Sequence, residues 1–412
     1  MKFRQQQLDN GLQIVAECNP QAYTAAVCFM VRTGARDETP EVAGVSHFLE
    51  HMVFKGTPTR SADDVNQRFD DLGAEHNAWT TKEHTAYYAV MLPEYQEEIV
   101  ELWADVMRPS LREEDFETEK QVIIEEIRMY EDQPPFCADE RCEKNFFGSH
   151  PLGNSVLGSV ETIRNLDVDT MRQYFRARYS PQNMIVAAAG KIDFDNLVGT
   201  LQRECGDWEP FEVQRQLVPP QPHDGFEVVQ KATATQEYVI ELATGPSATD
   251  PRRFAAYMLA NLLGDGSGSR LYWELLHTGC AEQASLHYYE YDGVGVLGTW
   301  LCCEPEDAAE NLRRIQEVYR QAEKEGFSEA ELARAKMKFN SRMVLASERP
   351  QSRMASVGMN WLRRGEYRSV KQDLDEYNAV TLRDVAEVLA EFPLTRHNTI
   401  AIGPLADVQP PA

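Results

Sequence analysis

Two histidines and a glutamate lie close together in the run Gly44-Val45-Ser46-His47-Phe48-Leu49-Glu50-His51-Met52-Val53-Phe54. On a helix, His47 and His51 are at i and i+4, one turn apart on one face. That spacing lets two imidazole nitrogens reach one zinc ion at about 2.0–2.1 Å. Glu50, three residues after His47, shares the face and brings a carboxylate beside the metal. The order is H-x-x-E-H, the reverse of the commoner H-E-x-x-H, and its chemistry is hydrolysis with the glutamate as general base. Phe48, Leu49, Met52, Val53 and Phe54 are apolar, so the helix is expected to be buried. Three unpaired polar groups would be costly there, and a bound metal removes the cost. A helix that merely happens to carry two histidines does not.

A catalytic zinc takes three protein ligands and keeps one position for water. The third ligand should be an oxygen or nitrogen from another element. In Glu119-Lys120-Gln121-Val122-Ile123-Ile124-Glu125-Glu126-Ile127, Glu119 and Glu126 are two turns apart and share a helix face, whereas Glu125 points elsewhere. Spacing permits Glu126 as a ligand and Glu119 as its supporting carboxylate. It does not single them out among 66 acidic residues, most of which belong on solvated faces.

The elements that must carry these residues follow from periodicity. Apolar spacing predicts helices over Glu94–Val106, Glu113–Tyr130, Asp167–Tyr179, Pro305–Glu325 and Ser328–Ser347, and their apolar stripes read as core. Strand-like runs occur at Leu12–Ala16, Ala25–Val31, Phe226–Val229 and Tyr238–Ala243. Mixed elements of this kind indicate α+β layers. A chain of 412 residues exceeds one ordinary core. The proline-rich break Val218-Pro219-Pro220-Gln221-Pro222-His223-Asp224-Gly225 supplies a linker. The expected domains are 1–215 and 226–412, joined over about 216–225.

The two halves read as copies of one unit. Thr33-Gly34 and Pro40 recur as Thr244-Gly245 and Pro251 at one constant offset of 211 residues. The same offset carries His47, Glu50 and His51 onto Met258, Asn261 and Leu262. A duplicated domain with a single active copy is expected, and hence one zinc per chain.

Composition narrows the partners. The net charge of −25 argues against nucleic acid or an anionic membrane, both of which call for basic surface. Solubility explains the charge, and a field favouring basic peptides is the sharper reading. No apolar run approaches a membrane span, and the early strand-like run Leu12–Ala16 predicts no secretory leader in this sequence, with a processed precursor as the alternative. The eight cysteines, at 18, 28, 137, 142, 205, 280, 302 and 303, form no Cys-x-x-Cys pair and read as reduced thiols of a cytoplasmic protein.

The sequence closely resembles the pitrilysin/insulinase-type zinc peptidases, including the mitochondrial processing peptidases and their bacterial relatives. The resemblance is carried by Gly34-Ala35-Arg36-Asp37-Glu38, Ala43 through His51, Phe54-Lys55-Gly56-Thr57, Asn77-Ala78-Trp79-Thr80, Glu119 through Tyr130, His150-Pro151-Leu152-Gly153, Tyr179 through Met184, and Gly268-Ser269-Arg270-Leu271-Tyr272. It implies Glu126, 75 residues after His51, as the third zinc ligand and Glu119 as the supporting carboxylate. It also implies two homologous α+β domains, each a mainly antiparallel sheet packed with helices. The substrate would be an extended peptide added as a strand to an edge carrying Asn77, Ala78 and Thr80. His76 and His84 lack ligand spacing and read as structural or as peripheral to the substrate cleft.

The sequence departs from the family in the second half. Self-sufficient members place an Arg and a Tyr there to hold the substrate carbonyl, and the aligned positions here are Leu276 and Glu282. The resemblance therefore implies a dimer. Either a related chain supplies the pair in a heterodimer, or Tyr288 or His277 substitutes in a homodimer. A non-catalytic scaffold or assembly subunit is the rival reading, and decay of the zinc ligands would mark it. All of them are intact.

Overall fold

The computed structural model describes residues 1–410, and the chain divides into two compact units. The first comprises Met1–Arg128, Asn154–Gln216 and Val344–Arg368, and the second Met129–Gly153, Leu217–Met343 and the chain from Ser369 onward. The units thus cross the 216–225 break twice.

In the first unit six strands form one sheet: β1 (Lys2–Gln7), β2 (Gln13–Cys18), β3 (Ala25–Val31), β4 (Glu75–Thr80), β5 (Thr85–Met91) and β6 (Met184–Gly190), in the order β1-β2-β6-β3-β5-β4. Every neighbouring pair is antiparallel except β2–β6. The central strand β3, Ala-Ala-Val-Cys-Phe-Met-Val, is apolar throughout because both its faces are covered. Ala25, Val27, Phe29 and Val31 join the main core, which includes Phe48, Leu49 and Met52. Ala26, Cys28 and Met30 pack with Met354 and Val357 of the helix Pro350–Arg364. β4 lies at the sheet edge, with β5 its one neighbour among the described residues.

The second unit repeats the plan. β7 (Gly225–Gln230), β8 (Glu237–Gly245), β9 (Gln283–Tyr291), β10 (Val294–Cys303) and β11 (Asn398–Gly403) run in the order β7-β11-β8-β10-β9. This matches β2-β6-β3-β5-β4 strand for strand, and the one parallel pair, β11–β7, falls where β2–β6 does. Its covering helix is Ala138–Phe147, whose Ala138, Cys142 and Phe146 pack on Ile240, Leu242 and Ile400. Each sheet is therefore closed by a helix from the other half of the sequence. The two α+β units and their mainly antiparallel sheets agree with the expected fold class. All eight cysteines are free.

Candidate metal centre

The helix α1 (Val45–Val53) begins at Gly44, whose φ of +93° lies in the left-handed region and whose Cβ, if present, would sit 2.5 Å from the Leu157 carbonyl oxygen. Glycine is required there on both counts. α1 packs its apolar residues into the first core and presents His47, Glu50 and His51 together. The helix Glu113–Asp132 buries Phe116, Ile123, Ile124 and Ile127, with Phe116 stacked on Phe48 at 4.6 Å between ring centroids. That packing brings Glu119 and Glu126 to the histidines.

His47, His51 and Glu126 each offer one donor atom, and the three atoms lie within 4.8 Å of one another. Glu126 Oε2 is 3.9 Å from His47 Nε2 and 3.7 Å from His51 Nε2. These separations are too long for hydrogen bonds, and Glu126 Oε2 is buried with no hydrogen-bond partner. A buried, unpartnered carboxylate oxygen facing two imidazoles is stabilised by a cation held among them. Two nitrogens and one carboxylate oxygen form a donor set suited to catalytic zinc.

The surroundings prepare the ligands unequally. Burial, helped by the neighbouring His51, pushes His47 down to about 3, so it is neutral and able to ligate. Its Nδ1 is buried without a partner. For His51, burial works to lower the pKa, but the Glu119 hydrogen bond and the charges of Glu126, Glu119 and Glu50 outweigh it and raise it. His51 Nδ1–H donates to Glu119 Oε1 at 2.9 Å, which fixes the ring and leaves Nε2 toward Glu126. The other Glu119 oxygen pairs with Lys55 at 2.6 Å. Burial acts to raise Glu119, yet these two partners hold it below the ordinary carboxylate range.

Glu50 is buried and is not one of the three clustered donors. The Thr80 hydroxyl donates to its Oε2 at 2.5 Å. Burial raises the Glu50 carboxyl, against the Thr80 bond and the charge of His51. Thr80 and Glu50 therefore join the free edge strand β4 to the face of α1 that carries the histidines.

The structure distributes the other named residues more widely. Asn77 is exposed, and its Oδ1 accepts from Ala78 N–H at 2.8 Å. His76 stacks on Phe69 at 4.0 Å, and His84 Nε2 accepts from Trp79 Nε1 at 3.1 Å. Met258 and Leu262 are buried apolar residues of the helix Arg253–Gly264, and Asn261 bonds back to the Tyr257 carbonyl. His47, His51 and Glu126 form the only such metal-capable group among the described residues. Tyr288 corrects an expectation. Its hydroxyl is buried and donates to the Pro246 carbonyl at 2.5 Å, so it is not free to meet a substrate. Two residues that sequence reasoning left without a role are Lys55, four residues after His51, and Glu38.

Comparison with known proteins decides the family. Residues 13–160 match Insulinase (Peptidase family M16), and residues 165–339 match the Peptidase M16 inactive domain. An uncharacterized zinc protease of Mycobacterium tuberculosis is 34% identical over 97% of this chain and 93% of its own. The chain belongs to peptidase family M16. An uncharacterized zinc protease of Bacillus subtilis is 32% identical over 91% of this chain and 92% of its own. Among solved structures, a protease from Helicobacter pylori shares the fold with a TM-score of 0.92 at 22% identity, covering 98% of this chain and 99% of that one. A chain of Complex III2 from Candida albicans does so with a TM-score of 0.86 at 18% identity, covering 98% and 97%. The match to an inactive domain falls on the half that carries Met258, Asn261 and Leu262.

Proposed function

We propose that this zinc metallopeptidase is an endopeptidase that hydrolyses extended peptides laid as an added strand along the free edge of β4, with Glu50 as the general base. The observation that carries the reading is the meeting of His47, His51 and the unpartnered Glu126 oxygen beside a buried glutamate that is not one of the three donors. His47, His51 and Glu126 would hold one zinc ion, which supplies a Lewis acid for the peptide carbonyl and makes water more acidic.

The chain's own groups account for the remainder. Glu50 takes the proton of the attacking water and delivers it to the departing amine. Glu119 keeps His51 in the tautomer that ligates through Nε2. The unpaired backbone groups of β4, from Asn77 to Thr80, pair with any extended peptide, which leaves selectivity to side-chain pockets. Leu276 and Glu282 offer no hydrogen-bond donor to a developing oxyanion at neutral pH, and the Tyr288 hydroxyl is engaged. A dimer in which a related chain supplies an arginine and a tyrosine meets this need. His277 is exposed and remains the candidate donor in a homodimer. Eight free thiols fit a reducing, cytoplasmic setting. The rival scaffold reading is disfavoured by the intact ligand set.

The test is peptide hydrolysis by the zinc-loaded chain, alone and mixed with a related metal-free chain. Chelation should abolish turnover and zinc should restore it. Turnover unaffected by removal of the metal contradicts the reading.

A further inference from the structure

The short loop Gly34–Glu38 follows β3 and holds two parts of the site at once. On one side, Ala35 N–H donates to the Thr81 carbonyl at 3.2 Å and Arg36 N–H to the Lys82 carbonyl at 2.7 Å. The Arg36 guanidinium pairs with Glu83 at 2.5 Å, both side chains buried. These contacts fix the turn that ends β4 directly after Thr80. On the other side, Glu38 is only 5% exposed and accepts from Gly44 N–H at 2.7 Å and Ser46 N–H at 2.8 Å. The loop itself is anchored by Asp37, which accepts from Gly34 N–H and pairs with Arg178 and Arg215.

The Glu38 contacts occur where a helix most needs help. The first N–H groups of a helix have no partner within it, and a serine, threonine, aspartate or asparagine at the start normally supplies one. Gly44 has no side chain to do so. A carboxyl group from outside the helix takes over and satisfies two of these donors. His47 stands in the turn so capped, and Glu50 in the next.

We propose that Glu38 is a positioning residue for peptide hydrolysis: it pins the first turn of α1 to the same loop that clamps the end of β4, and so sets His47 and Glu50 against Thr80 and the substrate edge. This deepens the peptidase reading and rests on it. Without Glu38 the first turn of α1 frays, His47 is held less firmly, and Glu50 loses its fixed distance from the peptide. The edge strand keeps its own clamp through Ala35 and Arg36, so substrate docking is spared.

The experiment compares Glu38→Ala and Glu38→Gln in the full chain. Three quantities are read: amide hydrogen exchange over Gly44–Phe48, zinc affinity by chelator competition, and kcat and KM per bound zinc. Loss of two capping bonds should speed exchange in that turn and weaken zinc binding, each roughly ten-fold. kcat should fall at least as much while KM stays within about two-fold, and Glu38→Gln, which keeps one acceptor oxygen, should fall between wild type and Glu38→Ala. If Glu38→Ala fails to fold, the near-isosteric Glu38→Gln carries the test. Unchanged exchange over Gly44–Phe48, or a lowered melting temperature with kcat per zinc intact, would overturn the proposal. So would a rise in KM at constant kcat. The exchange and zinc measurements need no turnover, so they decide the role of Glu38 even if the peptidase reading fails.

Discussion

The Thr80 hydroxyl donates to Glu50 Oε2 at 2.5 Å, from the edge strand β4 to the helix that carries the histidines. The family resemblance implies a place for Thr80 on the substrate edge, and its hydroxyl also reaches the Glu50 carboxylate. A hydrogen bond to a charged group contributes about 1.5–3 kcal/mol, which is ten- to hundred-fold in rate if it holds the base in its reactive place. Thr80→Val should therefore lower kcat by at least about ten-fold with little change in KM, and Thr80→Ser should retain most of it. A rise in KM alone, with kcat intact, would return Thr80 to substrate binding.

Zinc affinity should depend on pH chiefly through His51. Metal binding requires neutral imidazoles. His47, pushed down to about 3 by burial, is already neutral, whereas His51 is raised, the Glu119 bond and nearby carboxylates outweighing its burial. A raised pKa means that affinity is full at higher pH and falls as pH drops through the His51 value, which lies above the ordinary value of about 6.5. Calorimetry in buffers of different ionisation enthalpy should show proton release per zinc rising toward about one as pH falls below that value. Release of two would contradict the inequality of the two histidines.

The charge of −25 should favour basic substrates. Peptides matched in sequence but reversed in charge should differ in kcat/KM at low ionic strength, the basic one being faster. The difference should shrink as salt shortens the Debye length from about 30 Å at 0.01 M to about 8 Å at 0.15 M. Equal rates at low salt would dispose of the effect.

The partner question has a direct readout. Losing an oxyanion donor typically costs about a hundred- to a thousand-fold in rate. The chain alone should be correspondingly slow, and a related chain carrying the missing arginine and tyrosine should restore that factor. Tyr288→Phe should leave the rate nearly unchanged, because its hydroxyl is already spent on Pro246. High activity of the pure chain, unaffected by the partner, would favour a self-sufficient homodimer.

Local pattern made part of this legible. The His47–Glu50–His51 spacing is a property of one helix, and the 211-residue repeat needs only strand and helix order, which both sheets reproduce. Glu126 was narrowed by spacing and singled out by resemblance, since 66 acidic residues leave periodicity with too many candidates. What stayed hidden depends on packing between distant segments. Glu38 caps donors six and eight residues away, outside any local capping pattern. Lys55, in the turn after α1, reaches Glu119 of the helix Glu113–Asp132, and the helices Pro350–Arg364 and Ala138–Phe147 pack on sheets built mostly from the other half of the chain. No periodicity records such pairings.

The central claim is that Glu50 acts as the base beside a metal it does not hold. Glu50→Gln, measured for zinc content and peptide turnover in the same preparation, tests it most directly. The account predicts one zinc per chain, as in wild type, and turnover lowered by at least about 10²–10⁴-fold. Near-normal turnover with zinc in place would contradict it, and so would loss of the metal itself.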